Sequence, residues 1–408
     1  MRENLIDRVR FHFVTLALLL LCVLCGKSSA QDFKTVHPGV EYAQVTHKLG
    51  SDPMKINLLR LDLTKVRLDV HHAFDRAIGV EPTSGIAKRH GAVAAINAGF
   101  FRLDKSEFAG DTAGVLQVDG KLLSESSNNR IALGITNGKN RTDVGFLHLN
   151  AFAVSGFGVD SVFAFDGINR ERRPNEIVLF TPEFHATTRT DDTGTEIALT
   201  ECHDRKGSIW CEAADVVEGR GNSPIPKEGF VISIGKLAIQ KSDNILYFAE
   251  QTSKKPRPFD SVIRIVRKVE QAAGSDGTVA HEDITNGVPQ LIKNGKIDIT
   301  WEQEKASRSF AEMRHPRTAV AKLKDGKFLM VTVDGRQPGV SVGMTLQELA
   351  EYLLSLGATD AMNLDGGGST TMFLDGRVVN TPSDKEGERK VSDAILVTLR
   401  NKKGKNER

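Results

Sequence analysis

The sequence predicts an α+β protein: mixed, largely antiparallel sheets, a few packed helices, and one strand–helix–strand unit carrying the candidate site. Three observations support this. Leu59, Leu61 and Leu63 alternate with Arg60 and Asp62, and Val66, Leu68 and Val70 repeat the pattern, the period-two signature of half-buried strands. From about residue 110 to 251 short apolar runs are separated by Gly, Asn and Asp, as in antiparallel β-structure. In the last third, a capped amphipathic helix lies between two apolar runs that each end in Asp-Gly.

The first 30 of the 408 residues have the grammar of a secretory signal peptide. Arg2, Arg8 and Arg10 form a basic start. Phe11 to Cys25 is apolar, and Ser28-Ser29-Ala30 offers a cleavage site before Gln31. The apolar run falls short of the roughly 20 residues of a membrane span. This predicts a secreted or periplasmic protein, cleaved near Ala30, with no stable membrane span after processing. Removing residues 1–30 takes away four of the 54 basic and two of the 52 acidic side chains, leaving 50 of each. A balanced charge excludes a general nucleic-acid binder, which would be strongly basic. Cys202 and Cys211 are the cysteines of the mature chain. They either close a small loop in an oxidising compartment or remain two thiols, and they lack the partners of a metal site.

The expected organisation is a β-rich lead-in over 31–90, a main domain over 91–400, and a frayed basic tail over 401–408. Thr83-Ser84 opens a short helix that ends near Gly91, and Ala92 to Asn97 follows as a buried strand. Gln251 to Pro258 reads as a linker or long surface loop. Lys327 to Val333 is a strand running into Asp334. Thr345 caps the next helix, Glu348 completes a capping box, and Gly357 stops it. Ala361 to Leu364 is a strand running into Asp365. If the two strands are parallel neighbours with a right-handed crossover, both carboxylates reach one rim of the sheet.

The chemistry follows from that rim. Gly366-Gly367-Gly368 suits a tight turn or a backbone nest for an anion, and Ser369 and Thr370 add hydroxyls. Asp334-Gly335-Arg336 sets a carboxylate beside a guanidinium whose planar fork fits phosphate. Arg317, in His315-Pro316-Arg317, is a second anion contact. His315 titrates near neutrality, but a lone histidine is more often a packing residue. Asn97 could hydrogen-bond a sugar or phosphate. Glu388-Arg389 reads by default as a surface ion pair, with Glu388 kept as a candidate carboxylate.

These residues resemble the phosphodiester glycosidase family. The resemblance rests on Ala95 to Phe101, Arg317 to Val320, Val333 to Arg336, Gly343 to Leu349, Asn363 to Thr370 and Glu388 to Val391, with Asn286 to Lys296 in support. It covers most of residues 90–400. Ala98 departs from the pattern, standing where the family often has a glycine. The resemblance implies a hydrolase of sugar-1-phosphodiesters acting on a phosphorylated glycan, in bacterial relatives linked to exopolysaccharide. Asp365, Asp334 and Glu388 are the catalytic candidates. Arg317, Arg336, Asn97, Gly366, Gly367, Gly368, Ser369 and Thr370 are the binding candidates. No cofactor is called for, although the paired aspartates could hold a divalent metal. The alternatives are a non-catalytic module that binds anionic polysaccharide and a metal-dependent phosphodiesterase.

Overall fold

The structure is a computed structural model describing residues 31–157, 161–205, 207–238, 262–271 and 281–400. Residues 1–30, read from sequence as a signal peptide, the whole Gln251–Pro258 segment and the 401–408 tail lie outside the described residues. The fold is mostly β, with 49% strand and 9% helix, the helix lying in three helices among the described residues, and one sheet is nearly closed into a barrel. This corrects the α+β expectation. The helices at Thr83–Arg89, Arg308–Glu312 and Leu346–Ser355 are short and lie against sheets rather than forming a layer.

Two sheets position the site. In one, strands Asp52–Leu61, Phe328–Val333, Arg317–Leu323 and Ala358–Asn363 lie side by side in that order. In the other, Met372–Leu374, Ala94–Asn97, Asp393–Leu399 and Val66–His72 do so. Strands from residues 31–90 therefore pair directly with strands from the last third. Their inner faces meet in one core containing Leu59, Leu61, Leu68, Ile96, Val320, Met330, Met362 and Ile395. The middle of the chain builds a long, largely antiparallel sheet with its own core around Leu179, Ile197, Ile232 and Ile265.

The strand–helix–strand expectation is corrected in one respect. Phe328–Val333 and Ala358–Asn363 run parallel but are not neighbours, because Arg317–Leu323 lies between them and pairs antiparallel with both. The connecting helix has the expected ends. Thr345 Oγ1 accepts from Glu348 N–H at 3.1 Å, Glu348 Oε2 accepts from Thr345 N–H at 2.9 Å, and Gly357 takes φ +88°.

Cys202 and Cys211 form a disulfide across the Thr195–Arg205/Ser208–Glu218 hairpin, closing a sequence separation of 9. A loop this short restricts the unfolded chain by about 2–3 kcal/mol. Replacing both cysteines by alanine is expected to lower stability by that amount. An unchanged unfolding midpoint in denaturant would show that the hairpin does not need the link.

Candidate functional site

The interposed strand concentrates the chemistry. Arg317 starts its strand opposite Val333, the residue before Asp334. Ala319 of the same strand lies opposite Asn363, two residues before Asp365. Arg317 therefore stands between the ends of the two aspartate-bearing strands, so three separate sequence motifs meet on one rim.

Asn97 ties this rim to the second sheet. Its Nδ2 donates to the Asp365 carbonyl at 2.6 Å, while its Oδ1 accepts from Thr318 Oγ1 at 2.8 Å and Thr371 N–H at 3.1 Å. The side chain is fully buried. Its hydrogen-bonding capacity is used inside the protein, which corrects the expectation of a substrate contact. It positions the loop behind Asp365.

The glycine segment is a tight bend pressed against the Arg317 strand. Gly367 takes φ +61° and donates its N–H to Pro316 O at 2.9 Å. Gly366 N–H donates to Asp365 Oδ1 at 2.9 Å, Ser369 N–H to Gly366 O at 3.1 Å and Thr370 N–H to Gly367 O at 3.3 Å. Four amides of the bend are thus spent internally, and the expected anion nest is not formed by them. The glycines serve close approach instead. A Cβ on Gly366 would lie 2.7 Å from Pro316 O, and one on Gly368 would lie 2.2 Å from both Asp384 Oδ1 and Arg389 Nη2. Ser369 and Thr370 are buried, and Thr370 Oγ1 has no hydrogen-bond partner. Gly366→Ala meets a backbone oxygen that cannot step aside, so a loss of about 1–3 kcal/mol is expected from overpacking, with activity falling as Asp365 shifts. Wild-type melting and turnover in this variant would contradict the packing described.

The two aspartates have different surroundings. Asp365 is half-buried, with burial raising its pKa to about 6 against the opposing pull of Ser369, the Gly366 N–H and Arg389. It makes no ion pair among the described residues. Asp334 is 1% exposed. Its carboxylate accepts from Asn380 Nδ2 and Thr381 N–H, each at 3.1 Å, and burial raises its pKa. Asp334 reaches the expected rim, but its carboxylate faces inward and anchors the Asn380–Thr381 segment. The expectation of a second reacting carboxylate is corrected accordingly. A shared divalent metal also fits poorly, because the oxygens it would need already face N–H donors. Glu388 is corrected as well: its two oxygens accept from Ser84 N–H at 2.7 Å and Ser84 Oγ at 2.5 Å, binding the first turn of the Thr83–Arg89 helix.

The cations are unusual in the opposite sense. Arg317 is 1% exposed, yet its guanidinium pairs with no carboxylate among the described residues. Nε donates to Met344 O at 2.8 Å, and Nη2 donates to Phe310 O at 2.7 Å and Met313 O at 3.0 Å. The group lies over the Phe310 ring, 4.8 Å from its centroid. Burial, then the Arg336 cation, presses its pKa below the usual arginine range. Arg336 is exposed, adopts φ +61° and holds its guanidinium against Gly367. His315 has a buried, unpartnered Nδ1, and its pKa is lowered by burial, Arg317 and Arg336. Two guanidiniums and a neutral imidazole thus share a site without an ion pair of their own among the described residues, the nearby Glu348 carboxylate being paired to Arg314. A buried charge without a partner is costly, and an anionic ligand would relieve that cost.

Sequence reading did not single out Asn380 or Asp384, and it took Arg389 as the ion-pair partner of Glu388, which the structure corrects. Arg389 donates to both Asp384 oxygens, at 2.7 and 3.0 Å, and this pair covers Gly368. The signal lay one position beyond Glu388. His315 was visible as a titratable group, but nothing in sequence placed it beside two arginines.

Residues 211–398 match the family model for phosphodiester glycosidase, a stretch holding Arg317, Arg336, Asp365 and Arg389. That stretch is similar to the phosphodiester glycosidase family. The N-acetylglucosamine-1-phosphodiester alpha-N-acetylglucosaminidase of Bos taurus is 36% identical over 110 residues, 25% of this chain and 20% of that protein. YomE, an uncharacterized SPbeta prophage-derived protein of Bacillus subtilis (strain 168), is 37% identical over 157 residues, 33% of this chain and 24% of the relative. The chain thus matches about a fifth to a quarter of the length of these two curated relatives. A solved structure of a hypothetical protein from Synechocystis aligns with a TM-score of 0.70 at 21% identity, over 91% of this chain and 64% of that one. A candidate exported protein of Burkholderia pseudomallei K96243 aligns at 0.69 with 22% identity, over 86% and 75%. These two establish the likeness of fold.

Proposed function

We propose that this protein hydrolyses sugar-1-phosphodiesters at the glycosidic C–O bond. The observation that carries the reading is the pair of Arg317, which makes no ion pair among the described residues, and Arg336 against the glycine bend that follows the half-buried carboxylate of Asp365. The family match and the catalytic name of the Bos taurus relative support a hydrolase acting on phosphodiester sugars.

The two guanidiniums bind the phosphodiester and stabilise the charge on the departing phosphate monoester. Asp365, ionised, takes a proton from water as the water oxygen bonds to the anomeric carbon. The C–O bond breaks, and its electron pair leaves on the phosphate oxygen. A phosphate monoester is a good leaving group, so a strong general acid at that oxygen is less necessary. Export by the signal peptide would place this chemistry outside the cytoplasm, against envelope or exopolysaccharide glycans. The Burkholderia neighbour's description as an exported protein is in keeping with that placement.

Hydrolysis of a sugar-1-phosphodiester in heavy-oxygen water tests the bond cleaved. Label in the released sugar is expected. Label in the phosphate would instead move the protein to the phosphodiesterases.

A further inference from the structure

A second group of chemically active side chains lies on the opposite end of the Thr83–Arg89 helix from Ser84. His71 is the penultimate residue of the Val66–His72 strand, Asp75 sits in the turn after it, and His90 caps the helix C-terminus. His71 Nδ1 lies 3.7 Å from Asp75 Oδ1, and His90 Nε2 lies 2.9 Å from the same oxygen. The two imidazoles stack with centroids 3.6 Å apart and planes 18° from parallel. All three ligand atoms fall within 4.8 Å of one another.

We propose that His71, Asp75 and His90 bind a zinc-type divalent cation, with a fourth coordination position open to the adjacent cavity. In a tetrahedral site with bonds of about 2.0–2.2 Å, ligand atoms are separated by roughly 3.4 Å, between the two separations seen here, and binding turns the stacked rings apart so that both in-plane lone pairs point at the ion. Two imidazoles and one carboxylate favour a borderline ion such as zinc over magnesium or calcium, which prefer all-oxygen shells. The cavity, about 250 Å³, is also lined by Asp119, Lys121 and Glu183. It leaves space for water or a ligand at the fourth position.

The surrounding residues have the arrangement of an outer shell. Arg89 Nη1 donates to Asp75 Oδ2 and approaches His90 Nε2 at 2.8 Å, while Nη2 donates to Glu81 Oε2 at 2.9 Å. Glu81 Oε2 also accepts from Phe74 N–H at 3.1 Å. Phe74 and Asp75 both take left-handed backbone conformations, with φ of 57° and 54°. This turn aims the carboxylate at the two rings. In the present arrangement the Arg89 cation bridges His90 and Asp75, where the divalent ion would sit. Binding displaces Nη1 from His90 while Glu81 keeps the guanidinium against Asp75 Oδ2. An Arg89–Asp75–His90 ion pair alone gives no reason for His71 to present Nδ1 to the same oxygen.

The test uses the purified full chain after chelator treatment and dialysis. Calorimetric titration with zinc chloride is expected to give one tight equivalent, with magnesium chloride giving none. Cu(II) bound in its place should show coupling to two imidazole nitrogens in its paramagnetic resonance spectrum, a reading that needs no variant. His71→Ala and His90→Ala should each weaken zinc binding at least 100-fold while circular dichroism stays unchanged. Failure of the wild type to bind zinc, a copper spectrum without two nitrogen ligands, or undiminished binding by the folded double variant would each overturn the assignment.

Discussion

Asp365→Asn is expected to lower kcat/KM by roughly 10²–10⁴, the range of a lost general base, and at the same time to raise the melting temperature at pH 7. Both effects come from one environment. Burial holds the carboxyl at about pKa 6, above its ordinary 3.8, so the folded protein carries an ionised group it disfavours. A carboxyl raised in the folded state contributes stability that is present below pH 3.8 and is lost as pH rises through 6. The neutral amide escapes that loss. The gain should be on the order of 1 kcal/mol, after allowing for the contact Asp365 keeps with water, and should shrink at pH 4. In the wild type the same ionisation gives kcat/KM an acid limb near pH 6, with about tenfold less activity per unit below it. A variant that retains turnover would remove Asp365 from the mechanism. One that loses turnover without any stability gain at pH 7 would show that the carboxylate is not held at a cost.

Legibility in the sequence followed the range of the interactions involved. The helix from Leu346 to Ser355 was readable because its cap, its apolar face and its stop all lie within a dozen residues. Convergence of the two Asp-Gly motifs was reached by assuming neighbouring strands; the shared direction of the two strands holds, the adjacency does not. The order of strands was not readable, because the Arg317 strand enters between its two neighbours through pairings that no local pattern encodes. Fold class went astray for a related reason. The helices have strong signals but are few and short, while the many strands of the middle region have weak ones. Within the site, the difference between Asp334 and Asp365 depends on Asn380 and Thr381, which are distant in sequence from Asp334. Both motifs read as carboxylates on a rim; only packing decides which one faces water.

Arg317 should be the residue whose replacement separates binding from structure most clearly. Its Nε and Nη2 satisfy three carbonyl oxygens, of Met344, Phe310 and Met313, so any substitution costs about 1–3 kcal/mol of stability. A purely structural arginine would end there. The charge is what structure does not require: three neutral carbonyls need N–H donors, not a buried cation facing Arg336, with the nearby Glu348 carboxylate already paired to Arg314. Arg317→Lys retains a positive group but loses the planar fork, and kcat/KM is expected to fall about 10²–10³, as when one preorganised donor to a developing anion is removed. The decisive measurement is thermal melting with and without inorganic phosphate. An anion that binds only the folded protein raises the melting temperature by mass action, and in the wild type phosphate should do so because it neutralises the two guanidiniums. In Arg317→Lys that protection should be largely lost, even though the variant starts from a lower melting temperature and has more to gain. Equal protection in both proteins would place the anion elsewhere and reduce Arg317 to a pin between the helix at Arg308–Glu312 and the sheet.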